Sequence, residues 1–545
     1  MEKTHAFDYI VVGAGAAGCV VANRLSADPR VSVLLLEAGG PDRSPLIHMP
    51  AGFTKLTSPD VNWGFETVPQ KELGDRRMHY PQGRTLGGST SINAMIYIRG
   101  HRLDYDEWRD LGNPDWGYEG VLPYFKKGEN NERLVDTYHG TGGPLNVAEQ
   151  TQNNPLTRAF VRAAQEVGIP YNPDLNGATQ DGVGFYQVTQ RNVRRESAAT
   201  AYLKPIRRRG NLKIVTHALT TQVLVKQGRA VGVKYIRGGH ENVAHANHEV
   251  VLSGGAVNSP RLLLLSGIGP EAELRALGIE VVHHLPGVGK NFQDHMDVYI
   301  AAESSQPVSY NGEDRWFRAI PHGLQYLLYK TGPVTACVAE AGCFIRSSAE
   351  ARSPDIQIHC LPAYVVDHGR MRIKGHGLTI NTCNLRPRSA GEVRLTSVNP
   401  LDAPAINPNF VVDPRDWAVS IAAFKWGRKI LAAPAFRPFI KRERLPGAGA
   451  QSDEAIRAYI RKWAKTDYHP AGSCKMGADG MAVVDAQLRV HGIEGLRVID
   501  ASIMPTLISG NTQAPSIMIG EKGAAMMLDG EEALDGCSSA KRKRK

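Results

Sequence analysis

The sequence predicts an α/β protein in which a Rossmann-like dinucleotide-binding domain is joined to a second, α+β domain built on an antiparallel sheet. Three observations predict it. The first is a strand, glycine turn, helix and strand packed into the opening 37 residues, the ~30-residue length of a βαβ unit. The second is a return to strand, glycine and helix between Glu249 and Leu265. The third is a change of texture from Val298 to Thr396, where short alternating stretches are broken by prolines, as in an antiparallel sheet. The chain has material for both domains, with 545 residues, 42% hydrophobic and 22% charged, and a mean hydropathy of -0.28. That profile excludes a disordered or collagen-like chain. No run approaches the ~18 consecutive apolar residues of a membrane span.

Tyr9 to Val12 reads as the first strand, Gly13-Ala14-Gly15-Ala16-Ala17-Gly18 as the turn, a small-residue helix follows to about Leu25, and Val31 to Leu36 is the second strand, ending in Glu37. Within Gly13-x-Gly15-x-x-Gly18 the first glycine permits the tight turn, the second lets backbone approach a pyrophosphate, and the third lets helix pack on strand. The helix N-terminus then faces the anion. Glu37, 19 residues past Gly18, is placed to accept hydrogen bonds from a ribose diol. The motif alone does not separate NAD from FAD. Glycine, proline and tryptophan turns dominate Pro41 to Trp116, as in ordered loop. Helical periodicity covers Asn153 to Val167, and strands are read at Leu212–Val215, Gln222–Val225, Val231–Tyr235 and Glu249–Leu252, the last leading into a helix at Pro260–Leu265. The second domain takes strands at Asp355–Cys360, His376–Asn384 and Glu392–Leu395. Helices at Asp416–Leu431 and Asp453–Lys465, a strand at Leu496–Ile499 and a helix at Ser516–Leu528 complete the chain.

Seven cysteines lie between Cys19 and Cys537 without a CxxC pair or zinc-finger spacing, so neither structural disulfides nor a metal site is expected. His283-His284 and His295 lack a third ligand at suitable spacing and keep an ordinary structural reading. The net charge is +10, but Lys541 to Lys545 supply half of it, so no nucleic-acid partner is expected. That tail is either a solvated charge run or a contact with anionic lipid. No export signal is read at the N-terminus, and a cytoplasmic location, with membrane association through the tail, is the expectation.

Gly83-Arg84-Thr85-Leu86-Gly87-Gly88-Ser89-Thr90-Ser91-Ile92-Asn93 and the segment from Gly255 to Gly269 resemble the two signature segments of the glucose-methanol-choline (GMC) oxidoreductases, which are FAD enzymes that oxidise alcohols. Tyr468-His469-Pro470-Ala471-Gly472-Ser473-Cys474 and Val498-Ile499-Asp500-Ala501, followed by Gly510-Asn511-Thr512-Gln513-Ala514-Pro515, complete the resemblance from Phe7 to about Leu528. Pro45 to Pro50, Ala94 to His101, Asp181 to Gln190 and Asp367 to Arg370 are most similar to the branch of acceptor-dependent aliphatic alcohol dehydrogenases related to choline dehydrogenase.

The resemblance implies an FAD-binding domain from 1–155, 190–300 and 467–530, a substrate-binding domain from 156–189 and 301–466, and a flexible basic tail at 531–545. It implies that FAD is held by Gly13, Gly15, Ala16, Ala17 and Gly18, by Glu37 and Ala38, by Arg84, Gly87, Gly88 and Ser89, by Asn93, Ala94, Met95 and Ile96, and by Asp500, Ala501, Thr512 and Gln513. His469 matches the family's catalytic histidine, with Asn511 as partner, where other branches place a second histidine. An imidazole is neutral in part near pH 7 and can take the alcohol proton as hydride leaves the carbon. An amide can orient the substrate oxygen without titrating. Related dehydrogenases read Gly-Asn-x-Asn-Ala-Pro where this chain has Gln513, which puts flavin contacts there in question. Ile92 stands where some members attach the flavin through a histidine, so noncovalent FAD is expected. Cys474 is read as packing, and Glu340 as a carboxylate able to pair with a substrate cation such as choline. The implied partners are an alcohol and a quinone or other electron acceptor. An oxidase that uses oxygen, or a basic interaction protein that has lost catalysis, remains open.

Overall fold

The strand His5–Val12 lies inside its sheet because Tyr9 to Val12 form a run of largely apolar side chains on both faces; Ile10 and Val11 are fully buried. It pairs in parallel with Val33–Leu36 on one side and His240–Leu252 on the other, so that Val12 stands level with both Leu36 and Leu252. Leu212–Val215 extends the sheet beyond Val33–Leu36, and Leu496–Val498 runs parallel to Val250–Leu252. All these strands end at one edge, and the residues that follow them, Gly13, Glu37, Ser253 and Asp500, gather there. That edge is where an open parallel sheet binds its ligands. The antiparallel strands Arg229–Arg237 and Ala218–Lys226 complete the sheet. The computed structural model describes residues 5–371 and 373–542, with side chains over 6–371 and 373–529.

Helix Ala16–Leu25 packs against the closing helix so closely that a Cβ on Gly520 would lie 2.9 Å from the Val20 Cβ. Arg24 joins the pair with a 2.6 Å bridge to the buried Glu521. The closing helix runs Gln513–Arg542, past the Leu528 end read from the sequence. Glu531-Glu532-Ala533-Leu534 are good helix formers that carry it on. The basic run Lys541 to Lys545, singled out for lipid contact, lies outside the residues whose side chains are described. Among the described residues, no helix is long and apolar enough to cross a membrane.

The second sheet is antiparallel, in the order Ile440–Leu445, Met296–Ser304, Gly377–Asn384, Ile356–Leu361, Ala341–Ile345, Gly182–Phe185, with Lys465–Thr466 paired to Met296 and Asp297. Helices Pro155–Glu166, Pro414–Leu431 and Asp453–Trp463 cover one face, burying Val298, Ile300, Ile358, Ile380 and Phe424 in a common core. Asn154 caps the first of these helices with a side-chain oxygen on the Leu156 N–H. Glu392–Arg394 does not join this sheet; it pairs with Ala405–Asn407 alone. Helix Trp316–Tyr329 falls inside the stretch read as strand-rich. Pro321 and Gly323 interrupt its helical signal, and its large apolar residues face outward.

Candidate active site

A cavity of about 1250 Å³ runs from the glycine turn to the second sheet. Its near end is lined by Gly13, Gly15, Ala16, Ala17, Glu37 and Ala38, by Gly88 and Ser89, and by Asn93, Ala94, Met95 and Ile96. Asp500, Ala501, Thr512 and Gln513 also line it, and His469 and Asn511 stand at the far end with His359 and Asn381. The turn is built as an open cradle. A Cβ on Gly15 would meet only the Ser253 carbonyl, at 3.8 Å, so the space over that backbone belongs to the cavity. Gly13, at φ +98°, needs the left-handed conformation, and a Cβ on Gly18 would lie 1.9 Å from the Gly13 carbonyl. Both carboxylate oxygens of Glu37 accept backbone N–H groups, from Ala14 at 2.9 Å and Gly39 at 2.7 Å. Burial still pushes its pKa up to about 7.

His469 is positioned by its backbone as much as by its ring. The Asp294 carboxylate accepts its N–H at 2.9 Å, and also takes the Tyr80 hydroxyl at 2.6 Å and the Thr466 hydroxyl at 2.5 Å. Tyr468, at φ +69°, turns the chain just before it. The ring's protonation follows from its partners. His295 Nε2 lies 3.0 Å from the Leu385 carbonyl, which can only accept, so Nε2 carries the proton. Burial holds the His295 pKa down to about 3, leaving the ring neutral and Nδ1 a bare acceptor. That Nδ1 is 3.0 Å from His469 Nδ1, which must therefore donate. The lone pair of His469 then resides on Nε2, where the Asn511 amide nitrogen donates across 3.1 Å. Gln357 fixes the other end of that amide by donating to the Asn511 oxygen at 3.3 Å. Burial lowers the His469 pKa to about 4 against the pull of Asp467. The Asp467 carboxylate lies 3.6 Å from both His469 Nδ1 and His359 Nε2. Although burial opposes its charge, His359, His469 and Lys465 hold it ionised.

The sequence-predicted residues converge here with three exceptions: Gly18, Arg84 and Gly87 stand behind the lining. Gly87 donates its N–H to the Ala14 carbonyl at 2.8 Å, and the Arg84 guanidinium stacks 4.9 Å over Trp63. Asp500 takes the Gly255 N–H, the Ser259 hydroxyl and the Ser502 N–H, and so ties the start of the Gly255–Leu265 helix to the turn after Leu496–Val498. Gln513 receives a hydrogen bond from Asn93 and donates to Thr189 at 3.1 Å. Glu340, read as a carboxylate able to pair with a substrate cation, is not among the residues that line the cavity. It is fully buried and accepts from Tyr310, Thr157 and the Asn154 N–H. Cys474 is buried with its thiol pKa pushed well up, which suits packing. His295, Asp294, Asp467, His359 and Gln357 were missed as site residues. The Asp294-His295 pair just ahead of a strand, and Asp467 two residues before His469, were the available signals.

Sequence models of the GMC oxidoreductases match residues 7–297 and 387–520. The chain belongs to the GMC oxidoreductase family. It is 49% identical over 532 residues to an alcohol dehydrogenase (acceptor) of Pseudomonas putida, with 96% of each chain covered. It is 44% identical over 543 residues to the mitochondrial choline dehydrogenase of Homo sapiens, covering 98% of this chain and 91% of that one. Its structure matches an Aspergillus oryzae formate oxidase, studied for FAD modification, with TM-score 0.91 and 26% identity over 97% of this chain and 99% of that chain. GMC oxidoreductases are FAD flavoproteins, and the residues present fit FAD. The Gly15 cradle, the adjoining Gly88 and the buried Glu37 suit its adenosine pyrophosphate end, and the cavity continues from them to His469.

Proposed function

We propose that this GMC oxidoreductase oxidises a neutral primary alcohol to the aldehyde with noncovalently bound FAD, and that His469 is the base. The observation that supports this most is the fixed lone pair on His469 Nε2, facing Asn511 in the same cavity as the glycine turn. FAD when bound would supply the two-electron acceptor, taking hydride at its N5. The protein's own residues handle the proton. His469 Nε2 takes it from the hydroxyl as the C–H hydride departs, and the Asn511 amide can turn its N–H to the oxygen as alkoxide charge develops. The anionic Asp467, 3.6 Å away, stabilises the imidazolium that results.

The neutral substrate is favoured over choline by the greater identity to the alcohol dehydrogenase. We assign the electrons to an acceptor other than oxygen, in line with the name of that relative, which specifies only an acceptor; a quinone is what the resemblance to this branch implies. Noncovalent attachment is inferred from Ile92, which lines the cavity and offers no nucleophile. Steady-state kcat/KM across butanol, hexanol, octanol and choline tests the substrate. It should rise with chain length, each buried methylene contributing up to ~0.8 kcal/mol, and choline turnover above that of hexanol would overturn the assignment. Peroxide formed at the turnover rate would move the acceptor to oxygen. Acid precipitation should release free FAD, whereas yellow colour retained in the washed pellet would refute noncovalent binding.

A further inference from the structure

Helix Trp316–Tyr329 has two unlike faces. Its inner side walls the cavity through Arg318, Ala319, His322 and Gly323, and the buried Tyr326 anchors it by donating to the Val193 carbonyl at 3.0 Å. The outer side carries Trp316, Phe317, Ile320, Leu324, Leu327 and Leu328, each at least half exposed, with Leu328 at 70% and Trp316 at 76%. At 3.6 residues per turn these six fall within about 120° of arc. Trp316 and Phe317 open this stripe and aliphatic residues continue it, an apolar face with aromatic residues at one end that suits a bilayer interface.

Charge decides among occupants. From Arg315 to Ala339 the chain has no acid; of its three cations Arg318 faces the cavity and pairs with Glu313, with Arg315 and Lys330 at the two ends of the helix. Arg194 adds a cation near the anchoring Tyr326. The acids just before the helix are engaged, Glu313 by Arg318 at 2.6 Å and His322 at 2.5 Å, and Asp314 by Lys55 at 2.6 Å. An apolar stripe bracketed by Arg315 and Lys330 complements an anionic surface. A second copy across a two-fold axis would set these cations against one another.

We propose that the outer face of this helix is a membrane-binding surface, lying in the interfacial plane of an anionic bilayer and setting one wall of the active-site cavity against the lipid. This goes beyond the alcohol reading, because binding is measured without turnover. The test is co-sedimentation of the full-length holoenzyme with vesicles of mixed phosphatidylglycerol and phosphatidylcholine, and with phosphatidylcholine vesicles alone. The variants are Leu324→Gln/Leu328→Gln and a deletion of 541–545. Both leucines face solvent, so the double variant should keep its FAD and its reduction by a soluble alcohol. Its partitioning onto anionic vesicles should fall by about tenfold or more, a larger loss than the tail deletion causes. Binding of wild type to neutral vesicles should be weaker than to anionic ones. Wild-type protein that ignores both vesicles, or a double variant that sediments as wild type does, would overturn the proposal. So would a double variant that changes the oligomeric state without lipid, which would make the face a protein contact.

Discussion

At His469 the decisive feature is which nitrogen holds the proton, and that is set two residues away from the substrate, by the Leu385 carbonyl acting through His295. Asn511→Ala removes the amide facing Nε2 and should slow alcohol-dependent flavin reduction by about 10² to 10³ while FAD stays bound. Reduction at the wild-type rate would remove Asn511 from the mechanism. The pH dependence carries a sign that follows from burial. With its pKa lowered to about 4, His469 is already neutral at pH 6, so the reduction rate should stay level from pH 8 down to about 5 and fall only as pH drops through about 4. A fall centred near 6.5, the value of a solvated histidine, would contradict the buried environment. His469 and Asn511 were legible in the sequence because they stand in motifs. His295 was not, because a histidine beside an aspartate is unremarkable until the fold brings residues 295 and 469 together across 3.0 Å.

Among the elements, the glycine turn separates two roles that one motif conflates. A side chain at Gly15 meets no protein atom closer than 3.8 Å, whereas one at Gly18 meets backbone at 1.9 Å. Gly15→Val should therefore purify folded, with a thermal midpoint close to that of the FAD-free wild type, yet contain no FAD. Gly18→Val should destabilise the fold itself, by at least about 1 to 3 kcal/mol. Thermal unfolding and flavin absorbance measured on both variants check the pair, and normal FAD content in Gly15→Val would count against the cradle. The same turn explains why the N-terminal unit was readable. Its strands are apolar runs of adjacent residues, and the glycines punctuate them. Helix Trp316–Tyr329 was not readable because its buried side carries small and polar residues against a cavity, the reverse of a core-facing helix.

Across the whole molecule, the parallel sheet presents its carboxyl edge and the antiparallel sheet presents His359, Asn381 and Asp467 to one cavity, so cofactor and substrate groups come from different layers. The two layers and their order were legible from texture and strand runs. The route by which Lys465–Thr466 pairs with Met296–Asp297, and so delivers Asp467 and His469 to the cavity, depends on long-range pairing that no local pattern encodes. On the proposed mechanism an alcohol gives its hydride to bound FAD only when His469 takes the proton. Anaerobic mixing of the holoenzyme with excess hexanol checks this coupling. The flavin absorbance near 450 nm should bleach in wild type, and in an FAD-replete His469→Ala variant the bleaching rate should fall by about 10² to 10⁴. Wild-type flavin that hexanol leaves oxidised, or a His469→Ala variant that bleaches as fast as wild type, would contradict it.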